Sequence, residues 1–256
     1  MNLAGISGPS REELAAVTAR GHRLLTVEDT AERLGLDRQT AAKKLARWAE
    51  QGWLRRVRRG LYIPVPIDVA DAVWSPCYFT GWTAASHWGL TEQVFRTIVV
   101  KTSTRVRSAI QTLLDQEYLV GHVPESHMTW GLRPEWREGR RLWFADEART
   151  VIDMLDHPRI GGGVRHVAEV LEAYLSDFDW RQLVEYGDRI CNRAVFKRLG
   201  CLSERLKLGE EALVEACRQR LSSGVVLLDP NAPDRGQRIS EWGLRANVFV
   251  GADGSS

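Results

Sequence analysis

Cysteine is scarce in this sequence. The four present, Cys77, Cys191, Cys201 and Cys217, are scattered, with no Cys-x-x-Cys pair and no paired histidines nearby. That spacing excludes a zinc knuckle and a disulfide framework and leaves buried free thiols as the expectation. No apolar run is long enough to cross a bilayer, and Met1 to Pro9 lacks the basic-then-apolar order of a secretory signal, so a cytoplasmic protein with no membrane partner is expected. A surplus of one charge is also missing. Over 256 residues, 35 Lys and Arg face 33 Asp and Glu, a formal net charge of +2 that by itself says nothing about nucleic acid.

The distribution of charge says more. Residues 1–66 hold 12 of the basic and 7 of the acidic residues, so the basic surplus sits in the N-terminal quarter and the remainder is mildly acidic. With 44% hydrophobic and 27% charged residues, the chain is long enough to bury a real core in one large or two to three small domains.

The N-terminal quarter carries dense local signals. Ser10-x-x-Glu13 is a capping box that opens a first helix through about Ala19. Thr26 precedes Glu28 and Asp29, which suit a helix N-terminus, and Gly35 ends this second helix. Asp37 caps a third helix to about Gln51, with Gly52 as its stop. Helix, short Gly-containing turn, helix is the spacing of a helix-turn-helix. Ala41, Leu45 and Trp48 form one apolar stripe on the third helix, leaving Gln39, Thr40, Lys43 and Arg47 on the other face, flanked by Arg38 and Lys44. A recognition helix reads base edges from such positions: Gln39 can pair with adenine, Lys43 and Arg47 with guanine or phosphate, and Lys44 is expected on phosphate. Residues 53–64 then read as two short strands folded about Arg58-Arg59-Gly60, a wing bearing Arg55, Arg56, Arg58 and Arg59. A basic face can equally be solvated surface or dock a protein; capped helices, turn, stripe and wing together favour double-stranded DNA.

Beyond the prolines at 64, 66 and 76, the stretch Tyr78–Thr91 reads as a small-residue helix closed by Gly89. Residues 98–100, 118–120 and 141–144 read as strands. From Asp146 the apolar spacing turns helical, with a capping signature at Asp179-x-x-Gln182, a buried strand at 225–228 and a last strand at 245–250. The expected class is α+β: a winged helix-turn-helix at 1–66, a mixed α/β unit at 67–145 and a mainly helical region at 146–256.

No catalytic, cofactor or metal constellation emerges. Gly161-Gly162-Gly163 lacks the Lys-Ser/Thr of a phosphate loop, and a loop between helices accounts for it. Asp177 and Asp179 have carboxylate spacing, but Asp179 has a capping role. Asp229 would suit a nuclease aspartate but no Glu-x-Lys follows, and an Asp-Pro turn is simpler. The histidines lack ligand spacing. Arg189, Arg193, Lys197, Arg198, Arg205 and Lys207 form a second basic group around one helix, either a surface for flanking DNA, RNA or an acidic protein, or a solvated face.

Several segments together resemble the AbiEi-type antitoxins of bacterial abortive-infection toxin–antitoxin systems. They are Arg59-Gly60-Leu61-Tyr62, Tyr78–Thr91, Ala148–Asp153, Arg198-Leu199-Gly200 with Glu204-Arg205-Leu206, Leu228-Asp229-Pro230, Trp242–Arg245 and Asn247-Val248. The resemblance spans nearly the whole chain and rests on the order and spacing of these motifs. It implies a winged helix that represses its own operon at promoter repeats, and a C-terminal region that counteracts a nucleotidyltransferase-like toxin encoded next door, with or without a stable complex. It brings no catalytic residues. The alternatives are a nuclease or nucleotidyltransferase-like enzyme delivered by a winged helix, and a plain ligand-responsive regulator.

Overall fold

The computed structural model describes residues 13, 16–17, 24–50, 54–64, 67–93, 95–113, 116–137 and 140–250. Glu13, Ala16 and Val17 are helical; Ser10 of the expected capping box lies outside the described residues. The N-terminal module continues with β1 (Leu25–Thr26), α1 (Val27–Leu34), α2 (Arg38–Glu50), β2 (Leu54–Arg58) and β3 (Leu61–Pro64), with strand order β1-β3-β2. Val17, Leu25, Ala41, Leu45, Trp48, Leu54 and Tyr62 make its small core.

A six-stranded mixed sheet follows. Its strands are β4 (Cys77–Phe79), β5 (Ile98–Thr102), β6 (Ile110–Leu113), β7 (Gln116–His122), β8 (Leu132–Arg137) and β9 (Arg140–Ala145), in the order β6-β7-β5-β4-β9-β8, with α3 (Ile67–Trp74) before it and α4 (Gly81–His87) between β4 and β5. The three expected strands are present within β5, β7 and β9. The stretch from Tyr78 is not helical throughout, because Tyr78 and Phe79 belong to β4, paired with Lys101 and Val100 on one side and, through Phe79, with Phe144 on the other. Aromatic residues fit a strand buried on both faces. The helix starts only at Gly81, where φ is +57° and an added Cβ would lie 2.3 Å from the Ile160 carbonyl oxygen.

The remaining helices are α5 (Glu147–Asp156), α6 (Val164–Asp177), α7 (Trp180–Ile190), α8 (Ala194–Leu206) and α9 (Glu211–Arg218); β10 (Val226–Leu227), β11 (Gln237–Ile239) and β12 (Leu244–Ala246) close the fold as a small sheet. The last strand stops at Ala246 because the next residue, Asn247, is turned into a loop clamp: its Oδ1 accepts from the Asp229 amide at 3.0 Å and its Nδ2 donates to the Asp229 carbonyl at 2.7 Å. One apolar cluster joins α5 to α9 with Ala85, Leu90, Val99 and Leu119 of the sheet region.

Helix α5 is buried from Ala148 to Leu155 on every face, so its charged residues must find partners inside. Asp153 is fully buried and accepts from Arg149 Nε at 3.0 Å, Thr80 Oγ1 at 2.7 Å and Tyr78 Oη at 3.2 Å, with Lys101 Nζ at 2.9 Å. Arg149 also donates to Tyr78 Oη at 3.0 Å, and its guanidinium carbon stacks 3.4 Å from the centre of the Trp130 ring. Burial alone would raise the Asp153 carboxyl. The Arg149 and Lys101 charges, with hydrogen bonds from Lys101 and Thr80, override it and hold the group at about 2.

A second lock holds the C-terminal end. Trp242 donates to Glu204 Oε2 at 2.6 Å and lies across Gly200, where an added Cβ would sit 2.1 Å from the indole. Asp229 Oδ2 accepts the Val164 amide at 2.9 Å and so caps α6, while its Oδ1 accepts from the Asn231 amide at 2.9 Å. The glycines at 161–163 therefore precede a helix start already occupied by a carboxylate of the chain itself.

Two consequences are measurable by urea unfolding. Gly200→Ala overpacks the Trp242 contact and should cost about 1–3 kcal/mol; an unchanged midpoint would mean the indole can move away. Asp153→Ala leaves Arg149 and Lys101 without their buried counter-ion and should cost about 3–5 kcal/mol. Because the folded value of about 2 lies below the ordinary 3.8, the stability this carboxylate contributes is complete above about pH 4 and drains away as pH falls toward 2. Asp153→Asn should flatten that acid limb, and an acid unfolding curve indistinguishable from wild type would exclude Asp153 as its source.

Candidate nucleic-acid interface

The sequence around α1 and α2 dictates the local geometry. Thr26 Oγ1 accepts the Asp29 amide at 3.0 Å and caps α1; Gly35, at φ +62°, ends it in the left-handed region that other residues adopt poorly. Asp37 Oδ1 then accepts the amides of Gln39 and Thr40 at 2.9 Å each, and Oδ2 accepts the Thr40 hydroxyl at 2.6 Å. The hydroxyl hydrogen bond from Thr40, followed by its amide, holds the exposed Asp37 carboxyl below its ordinary value.

With Ala41, Leu45 and Trp48 buried, the residues four apart at Gln39, Lys43 and Arg47 form an exposed row on the opposite side of α2. No side-chain hydrogen bond or ion pair engages these three among the described residues. The other expected contacts are differently placed. Thr40 spends its hydroxyl on Asp37. Arg38, at the flank of the row, pairs with Glu28 of α1 at 2.7 Å. Lys44 lies at the other flank, half-buried, with its ammonium on the Glu13 carboxylate and 5.7 Å from the Trp48 ring centre. Its charge is thus partly spent within the module, a placement that the spacing along α2 alone did not reveal.

On the wing, β2 and β3 pair antiparallel with Arg56 opposite Tyr62, and the register shifts between Arg56 and Arg58 so that exposed Val57 bulges out. Gly60, at φ +78°, completes the turn. Arg56 and Arg59 are exposed, while the side chains of Arg55 and Arg58 lie outside the described residues.

The second basic group does not form one surface. Lys197 and Arg198 are buried at 1% and 3% exposure. Lys197 Nζ donates to the Gly224 carbonyl at 2.8 Å; Arg198 donates to the carbonyls of Leu155 at 2.8 Å, Leu228 at 3.0 Å and Leu227 at 3.1 Å. Both therefore stitch α8 to the chain around it, because loose carbonyls at a helix end and a strand edge need internal donors. Arg189 pairs with Glu185 and Arg193 with Asp188, each at 2.6 Å, and only Arg205 and Lys207 of the group remain exposed without an ion pair among the described residues.

Helix, left-handed glycine turn, capped helix and a twisted basic hairpin make a winged helix with an open polar row. Over residues 12–65 the chain matches the family described as transcriptional regulator, AbiEi antitoxin. The AbiEi match ends at the base of the wing, so it covers the module that carries the row and the arginine tip. Over the whole fold the chain is similar to the crystal structure of the RV2827C protein from Mycobacterium tuberculosis, with a TM-score of 0.60 at 16% identity over 93% of this chain and 91% of that one. No curated protein sequence matches. Among the described residues no helix is long and apolar enough to cross a membrane, and no group of three or more His, Cys, Asp or Glu is placed to hold a metal ion.

The cap at Asp37 sets where α2 begins and so where the row starts. Asp37→Ala should lower the thermal midpoint of the N-terminal module, whereas Asp37→Asn, which keeps one acceptor, should recover most of it; equal midpoints for the two variants would mean that the cap does not hold this helix start.

Proposed function

We propose that this protein is a DNA-binding autorepressor and antitoxin, with the winged helix on its own promoter repeats and the region from 67 onward counteracting a nucleotidyltransferase-like toxin. The single observation that carries the DNA part is the row Gln39, Lys43 and Arg47, exposed on the face of α2 opposite its buried stripe, with Arg56 and Arg59 on the neighbouring wing. A helix presenting an amide and two cations at four-residue steps fits the donor and acceptor pattern of a major groove. Arginines on a hairpin tip replace the counterions along the adjacent backbone or minor groove. In this reading Gln39 addresses a base edge, Lys43 and Arg47 address guanine or phosphate, and the wing arginines position the module; Arg38, Thr40 and Lys44 support the helix that carries them.

The match of residues 12–65 to AbiEi regulators supports the same reading and extends it to toxin control. The nuclease alternative loses its aspartate, since both oxygens of Asp229 are engaged in capping α6 and turning the loop at Asn231.

Alanine replacement of Lys43 together with Arg47 should weaken binding to the upstream promoter duplex at least about tenfold and make its salt dependence shallower by about two ion equivalents. Fluorescence anisotropy at two salt concentrations, against a scrambled duplex, checks this. Unchanged affinity would remove α2 as the reading helix. Rescue of cells from the neighbouring toxin by the full chain carrying this double change, unable to repress but still protective, is the expected outcome for two separable roles.

A further inference from the structure

The hairpin β8–β9 closes one edge of the six-stranded sheet and has no role in the winged-helix reading. Its inner face is built by Leu142 and Phe144, each 1% exposed and packed in the core. Alternation along the strands sends the neighbouring positions to the opposite face. There Trp136 stands directly across from Arg141, and Pro134 across from Trp143. Trp136 is 69% exposed, the most exposed large hydrophobic side chain among the described residues, while the Arg141 guanidinium carbon lies 4.8 Å from the Trp143 ring centre. The hairpin thus presents an open indole, a guanidinium and a second, partly buried indole in succession. Arg133, in register with Phe144 of the inner face, is spent on Glu147 at 2.9 Å, while Arg141 is exposed beside Trp136.

The geometry points to a binding surface for single-stranded nucleic acid on this hairpin, with Trp136 stacking an unpaired base and Arg141 neutralising the adjacent phosphate. Three features select this occupant. A flat, exposed aromatic ring on a sheet edge offers a stacking face that any base can use, and only an unpaired base has its own face free to meet it. The exposed Arg141 guanidinium, directly across from the ring, complements a phosphate and opposes a cationic partner. Pro134 within the edge strand removes a backbone donor, which disfavours a protein strand adding to that edge. The surface is distinct in sequence and chemistry from the row on α2, and it does not require the duplex reading to hold.

The test uses the full chain, a fluorescein-labelled oligothymidylate, the same-length oligouridylate, and a promoter duplex, read by anisotropy at fixed salt. Wild type should bind the single strands; Trp136→Ala should weaken that binding at least about tenfold, Trp136→Phe much less, and duplex affinity should stay within about twofold. Arg141→Ala should also weaken single-strand binding and make its salt dependence shallower. Because Trp136 is exposed, these variants should keep the wild-type thermal midpoint, which circular dichroism verifies. The proposal is overturned if wild type does not bind either single strand, if Trp136→Ala binds them as wild type does, or if single-strand and duplex affinity fall in parallel, which would make the ring part of a duplex contact. Preference between the two single strands tells a deoxyribose from a ribose ligand.

Discussion

The pairing of Asp153 with Arg149 and Lys101 is the interaction on which the rest of the fold depends. A helix buried on every face can carry charge only where the interior supplies the opposite charge, and α5 carries both members of the pair one turn apart. The third partner comes from β5 and the hydroxyls from β4 and the residue after it, so the carboxylate fixes how the sheet lies on the helix. Removing any one partner leaves others desolvated and unpaired, which ties the charges of the cluster to one arrangement.

The same logic runs along the chain to its far end. Arg198 reaches from α8 to the carbonyls at the end of α5 and at β10, Asp229 reaches from beyond β10 to the start of α6, and Asn247 holds Asp229 in place. Trp242 closes over Gly200 and anchors to Glu204. The C-terminal segments around Arg149, Arg198, Asp229, Trp242 and Asn247 are thus rich in residues that join distant elements. They read as scaffold, with Arg205 and Lys207 exposed at the end of α8, and further groups with free polar ends lie on α2, the wing and the β8–β9 hairpin. The winged module has its own small core, while Ile63 of the wing joins the cluster beneath the sheet and links the two.

What the sequence determined by itself was local. Thr26, Gly35 and Asp37 satisfy or end the backbone within a few residues of themselves, Ala41, Leu45 and Trp48 repeat at the helical period, and Arg59-Gly60 turns a short hairpin; each signal needs no distant partner, so the winged helix and the exposed row at Gln39, Lys43 and Arg47 were legible. The α+β class followed from β-rich runs giving way to helical spacing near Asp146. What only the tertiary structure decided was the fate of groups whose partners are far away. Lys197 and Arg198 look like surface charge in a basic run and are interior donors, Asp229 makes the turn its sequence suggests but also caps a helix 65 residues away, and Tyr78 looks helical beside small residues but pairs into a sheet. Burial of a polar group depends on whether a complementary atom arrives from elsewhere in the chain, and composition and periodicity carry no record of that arrival.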